Sequence, residues 1–311
     1  MTVPLILVTN DDGIDSAGLW AVAEAVLPLG DVLVVAPDRQ WSGGGRSMPR
    51  EVTGTIRPAS REIDGHSVKG FAVDASPALA VDHGVIELAS RRPALVVSGV
   101  NFGANLGIEV TISGTVGAAL EASAFGMPAL AVSLEMSADH HLARNANAEY
   151  VASRAFIRYF AEVLLTHELP NDVDVLNVNI PATATPRTPW RLTRLSRHRY
   201  FLPVPPDREN GEGRPGYRLI RNVENAETES DIYATLVDRV VSVTPLSLDL
   251  TSRVFIDRRD RQLQEESESF ESVDGLSEVL AWPSTPPGTR GGNGRSDPAA
   301  VALDAKGSFT A

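Results

Sequence analysis

Short runs of aliphatic and β-branched residues recur through the first part of the chain: LILVT at 5–9, VLVVAP at 32–37, ALVVSGV at 94–100 and ALAVSL at 129–134. None alternates with polar residues, the pattern of strands covered on both faces. Between them lie stretches such as AGLWAVAEAVL and GTVGAALEASAF, long enough for crossover helices. The alternation predicts an α/β fold with a parallel sheet covered by helices. Residues 51–74 break the rhythm, with EVTGTIRP and SVKGFAV on either side of Asp64-Gly65. They predict a hairpin inserted between the second strand and a helix over 76–89, placed to wall one side of a site. A long amphipathic helix near 148–168 and a buried run at 173–181 complete a core spanning 1–182.

Beyond it the composition turns rich in Arg, Pro and Thr, with strand-like pieces RLTRLS, YRLIRNV and DIYATLVDRVVSVTPL. These predict a smaller β-rich C-terminal extension over 183–257, suited to oligomer contacts. Residues 258–311 become acidic and then rich in Pro, Gly and Ser, which predicts a largely disordered tail. No internal repeat is visible.

Composition narrows the chemistry. With 311 residues, 43% of them hydrophobic, the chain can bury a large core as one globular domain, or as one plus an appendage. The opening apolar run is cut short by Asn10-Asp11-Asp12-Gly13, and no later stretch approaches the length of a membrane span. A cytoplasmic protein with no membrane partner is the expectation. The chain has no cysteine, which excludes disulfides, thiolate ligands and thiol nucleophiles. A net charge of −12 argues against polymeric DNA or RNA as a partner, since such binders need a basic face. Residues 262–311 carry eight acids against three bases, so part of the acidity lies in the tail and a pocket for a small phosphate ester stays open.

Four segments carry candidate chemistry. In an open α/β sheet ligands collect at the carboxyl ends of strands, where the first strand delivers Asp11 and Asp12. Adjacent carboxylates repel, and a hard cation such as Mg²⁺ or Mn²⁺ relieves them; the same residues would also suit a turn capping the helix that follows. The second strand leads into Pro37-Asp38-Arg39-Gln40-Trp41-Ser42-Gly43-Gly44-Gly45-Arg46. Its glycines allow close approach, Ser42 can coordinate a hard ion, and Arg39 and Arg46 can meet phosphate; a flexible surface loop is the alternative. The third strand ends at Asn101, an amide oxygen for the same cation or a turn residue, followed by Gly103, Asn105 and Gly107. Ser113, Gly114 and Thr115 open a helix whose free N–H groups form an anion seat, although Ser113 alone would serve as an N-cap. Convergence of these loops on one sheet edge sets a cation beside a phosphate, an arrangement for metal-assisted hydrolysis.

At these residues the chain resembles the SurE-type survival-protein nucleotidases. The shared segments are Asn-Asp-Asp-Gly at 10–13, Ala-Pro-Asp-Arg with a following Ser-Gly over 36–43, Ser-Gly-Val-Asn through Asn-Leu-Gly over 98–107, and Ser-Gly-Thr-Val at 113–116. The likeness runs through Leu176–Pro181 and Val243–Leu246, covering about residues 3–257. It implies a Rossmann-like core, a homodimer or homotetramer built partly through the C-terminal extension, and hydrolysis of nucleoside 5′- or 3′-monophosphates. It also implies one divalent ion, Mg²⁺ or Mn²⁺, held by Asp11, Asp12, Ser42 and Asn101. The phosphate seat would be Ser113, Gly114 and Thr115, with Asn105 lining the same pocket. Water is the expected nucleophile, activated by the metal with help from Asp11 or Asp12.

The chain departs from the family at Leu79 and Ala80, where many members carry an acid and a thiol, and at Ile112 in place of tyrosine. The first change predicts an altered pocket wall or helix start, the second altered base stacking. Among the histidines, the adjacent pair His140 and His141 lacks zinc-motif spacing, and His66, His83, His167 and His198 read as surface or structural. A covalent aspartyl mechanism is disfavoured because its two acids are separated by one residue, and a dinucleotide oxidoreductase because Gly-x-Gly-x-x-Gly is absent. A catalytically weak homologue that senses nucleotide is the competing function.

Overall fold

The structure, a computed structural model, describes residues 3–135 and 150–251, apart from 207, 209–211, 214, 221, 222 and 224. The expected tail, with His140 and His141, lies outside the described residues.

The strands are β1 (Leu5–Thr9), β2 (Asp31–Pro37), β3 (Ile56–Pro58), β4 (Arg61–Ile63), β5 (His66–Val73), β6 (Leu95–Phe102), β7 (Ala129–Leu134), β8 (Val175–Ile180), β9 (Trp190–Leu192), β10 (Phe201–Val204), β11 (Gly216–Leu219) and β12 (Val241–Leu246). The helices are α1 (Ala17–Val26), α2 (Pro77–His83), α3 (Gly114–Ala124), α4 (Val151–Thr166) and α5 (Asp231–Leu236). The main sheet runs β3-β5-β2-β1-β6-β7-β8-β12-β9 and is parallel from β5 to β8. This is the α/β architecture that the uninterrupted apolar runs predict, because each central strand is buried on both faces. Ile6, Val8 and their neighbours pack on Leu19, Phe156 and Ile157 of α1 and α4. Leu7, Val35 and Val96 pack on Val81 and Val116 of α2 and α3.

Chain order reverses between β1 and β6: β1 leads outward to β2 and β5, β6 to β7 and β8. At such a switch point adjacent crossovers go to opposite faces and leave a crevice beyond the strand ends. Residues 10–13 and 101–107 emerge there.

Two sequence expectations need correction. Asp64-Gly65 does turn a hairpin, β4 pairing with β5, but β5 is no insertion: it lies parallel to β2 as a full member of the sheet. Its buried Val68, Gly70, Ala72 and Val73 supply the inner surface that membership requires. DIYATL forms α5 rather than a strand, since Ser230 caps it by accepting from Tyr233 N at 3.2 Å. The remainder of that segment, β12, pairs antiparallel with β8 and carries β9 on its far side, whereas β10 and β11 form a separate two-stranded sheet.

A third, small core of Ala104, Leu106, Tyr200, Ala226 and Ile232 joins that hairpin region to the turn after β6. Beside it Asp231, fully buried, accepts from the backbone N–H groups of Gly107 (2.7 Å), Ser196 (2.9 Å) and Ile232 (2.8 Å). Burial pushes its carboxyl up to about 6 against these three donors.

Candidate active site

The turn after β1 is shaped by Asn10, not by the aspartates. The Asn10 amide donates to Gly13 O (3.1 Å) and accepts from Gly13 N (3.2 Å), with Gly13 at φ +95°. The helix that follows has Ser16 at its N-cap. Asp11 and Asp12 are therefore free of both structural duties that could have explained them.

Asp11 is 5% exposed and accepts from the Thr115 hydroxyl at 2.6 Å. The Thr115 backbone N–H also favours its charged form, so the start of α3 is aimed at this carboxylate. Even so, burial and the neighbouring Asp12 charge push Asp11 up from 3.8 to about 7. Asp12 accepts from Gln40 Nε2 and Phe102 N, both at 3.2 Å, and burial raises its pKa as well. Among the described residues neither makes an ion pair with an Arg, Lys or His side chain. Two adjacent, largely desolvated carboxylates without a counter-charge fit a cation better than any arrangement of the apo chain.

Ser42 and Gly43 come from the loop after β2. That loop is seated by Trp41 N donating to Asp11 O (2.7 Å) and Gly45 N donating to Ile112 O (3.0 Å). Asn101 stands where the β6–β7 register shifts, and its Nδ2 donates to Gly103 O at 2.7 Å. With the nitrogen so engaged, its Oδ1 is the group left for the site. Asn105 is fixed from beneath: its N–H donates to Asn179 Oδ1 (2.7 Å), its Nδ2 to Ser133 Oγ (2.8 Å), and its carbonyl accepts from Asn177 and Asn179, both at 3.0 Å. A polar network of this kind inside a sheet rigidifies what stands on it.

These residues meet in one cavity of about 510 Å³. Asp11, Asp12, Ser42, Asn101, Asn105 and Ser113 all line it, so the structure gathers most of the sequence-predicted set at one place. The rest are placed differently. Thr115 is fully buried with its hydroxyl given to Asp11, so it supports the carboxylate and does not line the cavity. Gly114 packs behind Asp11, where a Cβ would come within 2.7 Å of Asp11 Cβ and 2.8 Å of its Oδ2. Ser113 faces the cavity while its Oγ accepts from Val116 N at 3.1 Å, so it is also the N-cap of α3.

Both loop arginines are engaged elsewhere, Arg39 with Asp38 (3.1 Å) and Asp74 (2.5 Å), Arg46 with Glu121 (2.6 Å). Leu79 and Ala80 sit in α2 against the second core and not on the cavity, so that departure alters packing rather than the pocket wall. Ile112 does line it, 56% exposed. None of the four described histidines does; His83 pairs with Glu87, and His198 lies 3.4 Å from Glu227.

The far side of the cavity was missed by the sequence reading. Arg199, Tyr200, Phe201 and Tyr217 line it together with Glu109 of the turn before α3. Phe201 meets Tyr200 and Tyr217 edge to face, with ring centroids 4.9 and 5.3 Å apart. The Tyr200-Phe201 pair inside an otherwise polar stretch was the available signal. The cavity thus has an acidic end on the sheet and an aromatic end on the β10–β11 hairpin.

The sequence profile described as "Survival protein SurE" matches residues 6–201. The chain belongs to the SurE family. A relative from Thermococcus gammatolerans, named 5′-nucleotidase SurE, is 40% identical over 263 residues, which cover 84% of this chain and 97% of that protein. Another of the same name from Archaeoglobus fulgidus is 42% identical, covering 89% of this chain and 98% of its own. Among solved structures, a SurE protein from Aquifex aeolicus superposes with a TM-score of 0.61 at 31% identity, covering 83% of this chain and 100% of the other. The family match takes in every acidic-end residue of the cavity, while Tyr217 of the SurE-family chain falls beyond the matched profile.

Proposed function

We propose that this chain is a divalent-metal-dependent phosphomonoesterase that hydrolyses nucleoside 5′-monophosphates, and 3′-monophosphates as secondary substrates, to nucleoside and phosphate with water as the nucleophile. The observation that carries this reading is the pair of buried Asp11 and half-buried Asp12, without an ion-pair partner among the described residues, in a cavity that aromatic side chains also line. The names of the relatives support the same chemistry. Asp11, Asp12, Ser42 and Asn101 would hold one Mg²⁺ or Mn²⁺, an all-oxygen donor set that suits a hard cation. Such an ion supplies Lewis acidity to a phosphoryl oxygen and makes water a better nucleophile near neutral pH.

The residues of the chain do the rest. Thr115 fixes the direction of Asp11, Gln40 and the Phe102 N–H fix Asp12, and the Asn105 network holds the floor. Ser113 at the start of α3 meets the phosphate, and Phe201 and Tyr217 offer ring faces and edges to the base. Asp11 or Asp12 takes the proton from the attacking water. Residues 183–257 serve assembly into a homodimer or homotetramer through the β9 edge, where Trp190 is 41% and Leu192 66% exposed. Light scattering on Leu192→Asp checks this, with a shift to a smaller species expected.

The direct test is phosphate release from a panel of nucleoside 5′- and 3′-monophosphates, with EDTA or with added Mg²⁺ or Mn²⁺. Turnover that EDTA abolishes and metal restores is expected. Binding without turnover under any metal would leave a nucleotide sensor in its place.

Stability gives a second check. A carboxyl raised from 3.8 to about 7 contributes stability in its neutral form below pH 4, and that contribution is lost as pH rises through 7. A cation replaces the lost proton. Mg²⁺ or Mn²⁺ should therefore raise Tm more at pH 8 than at pH 5. An equal shift at both would show that metal and proton do not compete at Asp11.

A further inference from the structure

Glu109 is the acidic group of the cavity that the chemistry above leaves unused. It is 7% exposed, yet it belongs to the cavity lining. Its Oε2 accepts from Tyr200 N at 3.3 Å, whereas its Oε1 is buried with no hydrogen-bond partner among the described residues. A buried acceptor left unmade is costly, and the cost is recovered when a donor arrives. The position also matters. Glu109 lies four residues before Ser113 in the turn leading to α3, and it holds Tyr200, the residue just before the first strand of the aromatic hairpin. It therefore links the turn that leads to Ser113 with the aromatic wall that begins at Tyr200.

A nucleotide has the same order: phosphate, sugar, base. With the phosphate at the acidic end and the base at Phe201 and Tyr217, the sugar falls beside Glu109. A ribose offers two neighbouring hydroxyl donors, and a carboxylate is the acceptor that takes them. We infer that Glu109 reads the ribose, its unpartnered oxygen accepting from the sugar hydroxyls, so that the enzyme favours ribonucleotides over 2′-deoxyribonucleotides. The inference rests on the nucleotidase reading and adds a sugar preference to it. Discrimination arises because a deoxy substrate takes away a hydroxyl and leaves the buried oxygen less satisfied.

The test compares kcat/KM for ribo- and 2′-deoxyribonucleoside 5′-monophosphates of the same base, in wild type, Glu109→Gln and Glu109→Ala, with p-nitrophenyl phosphate as a substrate lacking a sugar. Wild type should prefer the ribonucleotide by about tenfold or more, the range expected for one charge-assisted hydrogen bond. Both variants should bring the ratio towards one, chiefly through the ribonucleotide. Glu109→Gln keeps the side-chain volume and an acceptor for Tyr200 N, so it carries the test should the alanine variant fail to fold. A residue that only braced the hairpin would depress ribo- and deoxyribonucleotides together, and that parallel loss, or no preference in wild type, overturns the inference while leaving nucleotide hydrolysis standing. Wild type that cleaves p-nitrophenyl phosphate but no nucleotide would overturn the nucleotidase reading and this inference with it.

Discussion

Asp11→Asn is expected to remove metal-dependent phosphate release while making the metal-free protein more stable at pH 8. Partners that merely orient metal ligands cost about 10–100-fold when mutated, and a direct ligand should lie above that range. The stability gain has a separate origin. Above pH 7 wild-type Asp11 is ionised in a desolvated position beside Asp12. An amide keeps the bond from Thr115, accepting through Oδ1, and carries no charge to bury. The shift from 3.8 to about 7 corresponds to a gain on the order of 4 kcal/mol at high pH, vanishing below pH 4. Thermal melts of both proteins in EDTA, from pH 4 to pH 8, would show wild type falling away from the variant as pH rises. Parallel melting curves would mean that Asp11 is ionised without penalty, and the case for a cation between the two aspartates would lose its main support.

Gly114→Ala should be nearly as damaging to turnover, by a different route. Alanine is the better helix former, and Gly114 opens α3, so propensity alone favours the substitution. The Cβ, however, would stand 2.7 Å from Asp11 Cβ and 2.8 Å from Oδ2. Asp11 cannot retreat into the space behind it, because Thr115 holds it there. The carboxylate must shift by several tenths of an ångström, and misplacement on that scale costs up to about 10²-fold in rate. Circular dichroism should show an intact fold, and kcat should fall while KM changes little. A fully active variant would show that Asp11 tolerates displacement, which a metal ligand in a rigid site does not.

Much of this architecture could be read from the sequence, for a physical reason. Runs such as LILVT and ALAVSL have no polar interruptions, so only strands buried on both faces accommodate them, and their spacing sets the crossovers. The acidic end of the cavity was equally legible, because the residues there are consecutive or sit at strand ends. What the sequence hid was pairing across distance. SVKGFAV gives a hairpin half and a parallel strand by the same residues, and only the open edge of β2 decides between them. Thr115 has the look of a phosphate ligand from its motif, but its hydroxyl bonds Asp11, more than a hundred positions earlier. Arg39 and Arg46 read as phosphate ligands for the same reason, until Asp74 and Glu121 claim them. The aromatic wall was assigned to assembly because Tyr200, Phe201 and Tyr217 follow a change in composition, and composition carries no information about which cavity a hairpin faces.

The acidic end of the cavity is built on strands embedded in the two large cores, whereas the aromatic end hangs from the small cluster of Ala104, Leu106, Tyr200, Ala226 and Ile232. Opening free energy follows local burial, so the amides of β10 and β11 should exchange hydrogen long before those of β1 and β6. Substitutions in the hairpin can then be tested by evolution almost independently of the machinery that cleaves the ester. A scaffold divided in this way can change which nucleoside it accepts without relearning how to cut.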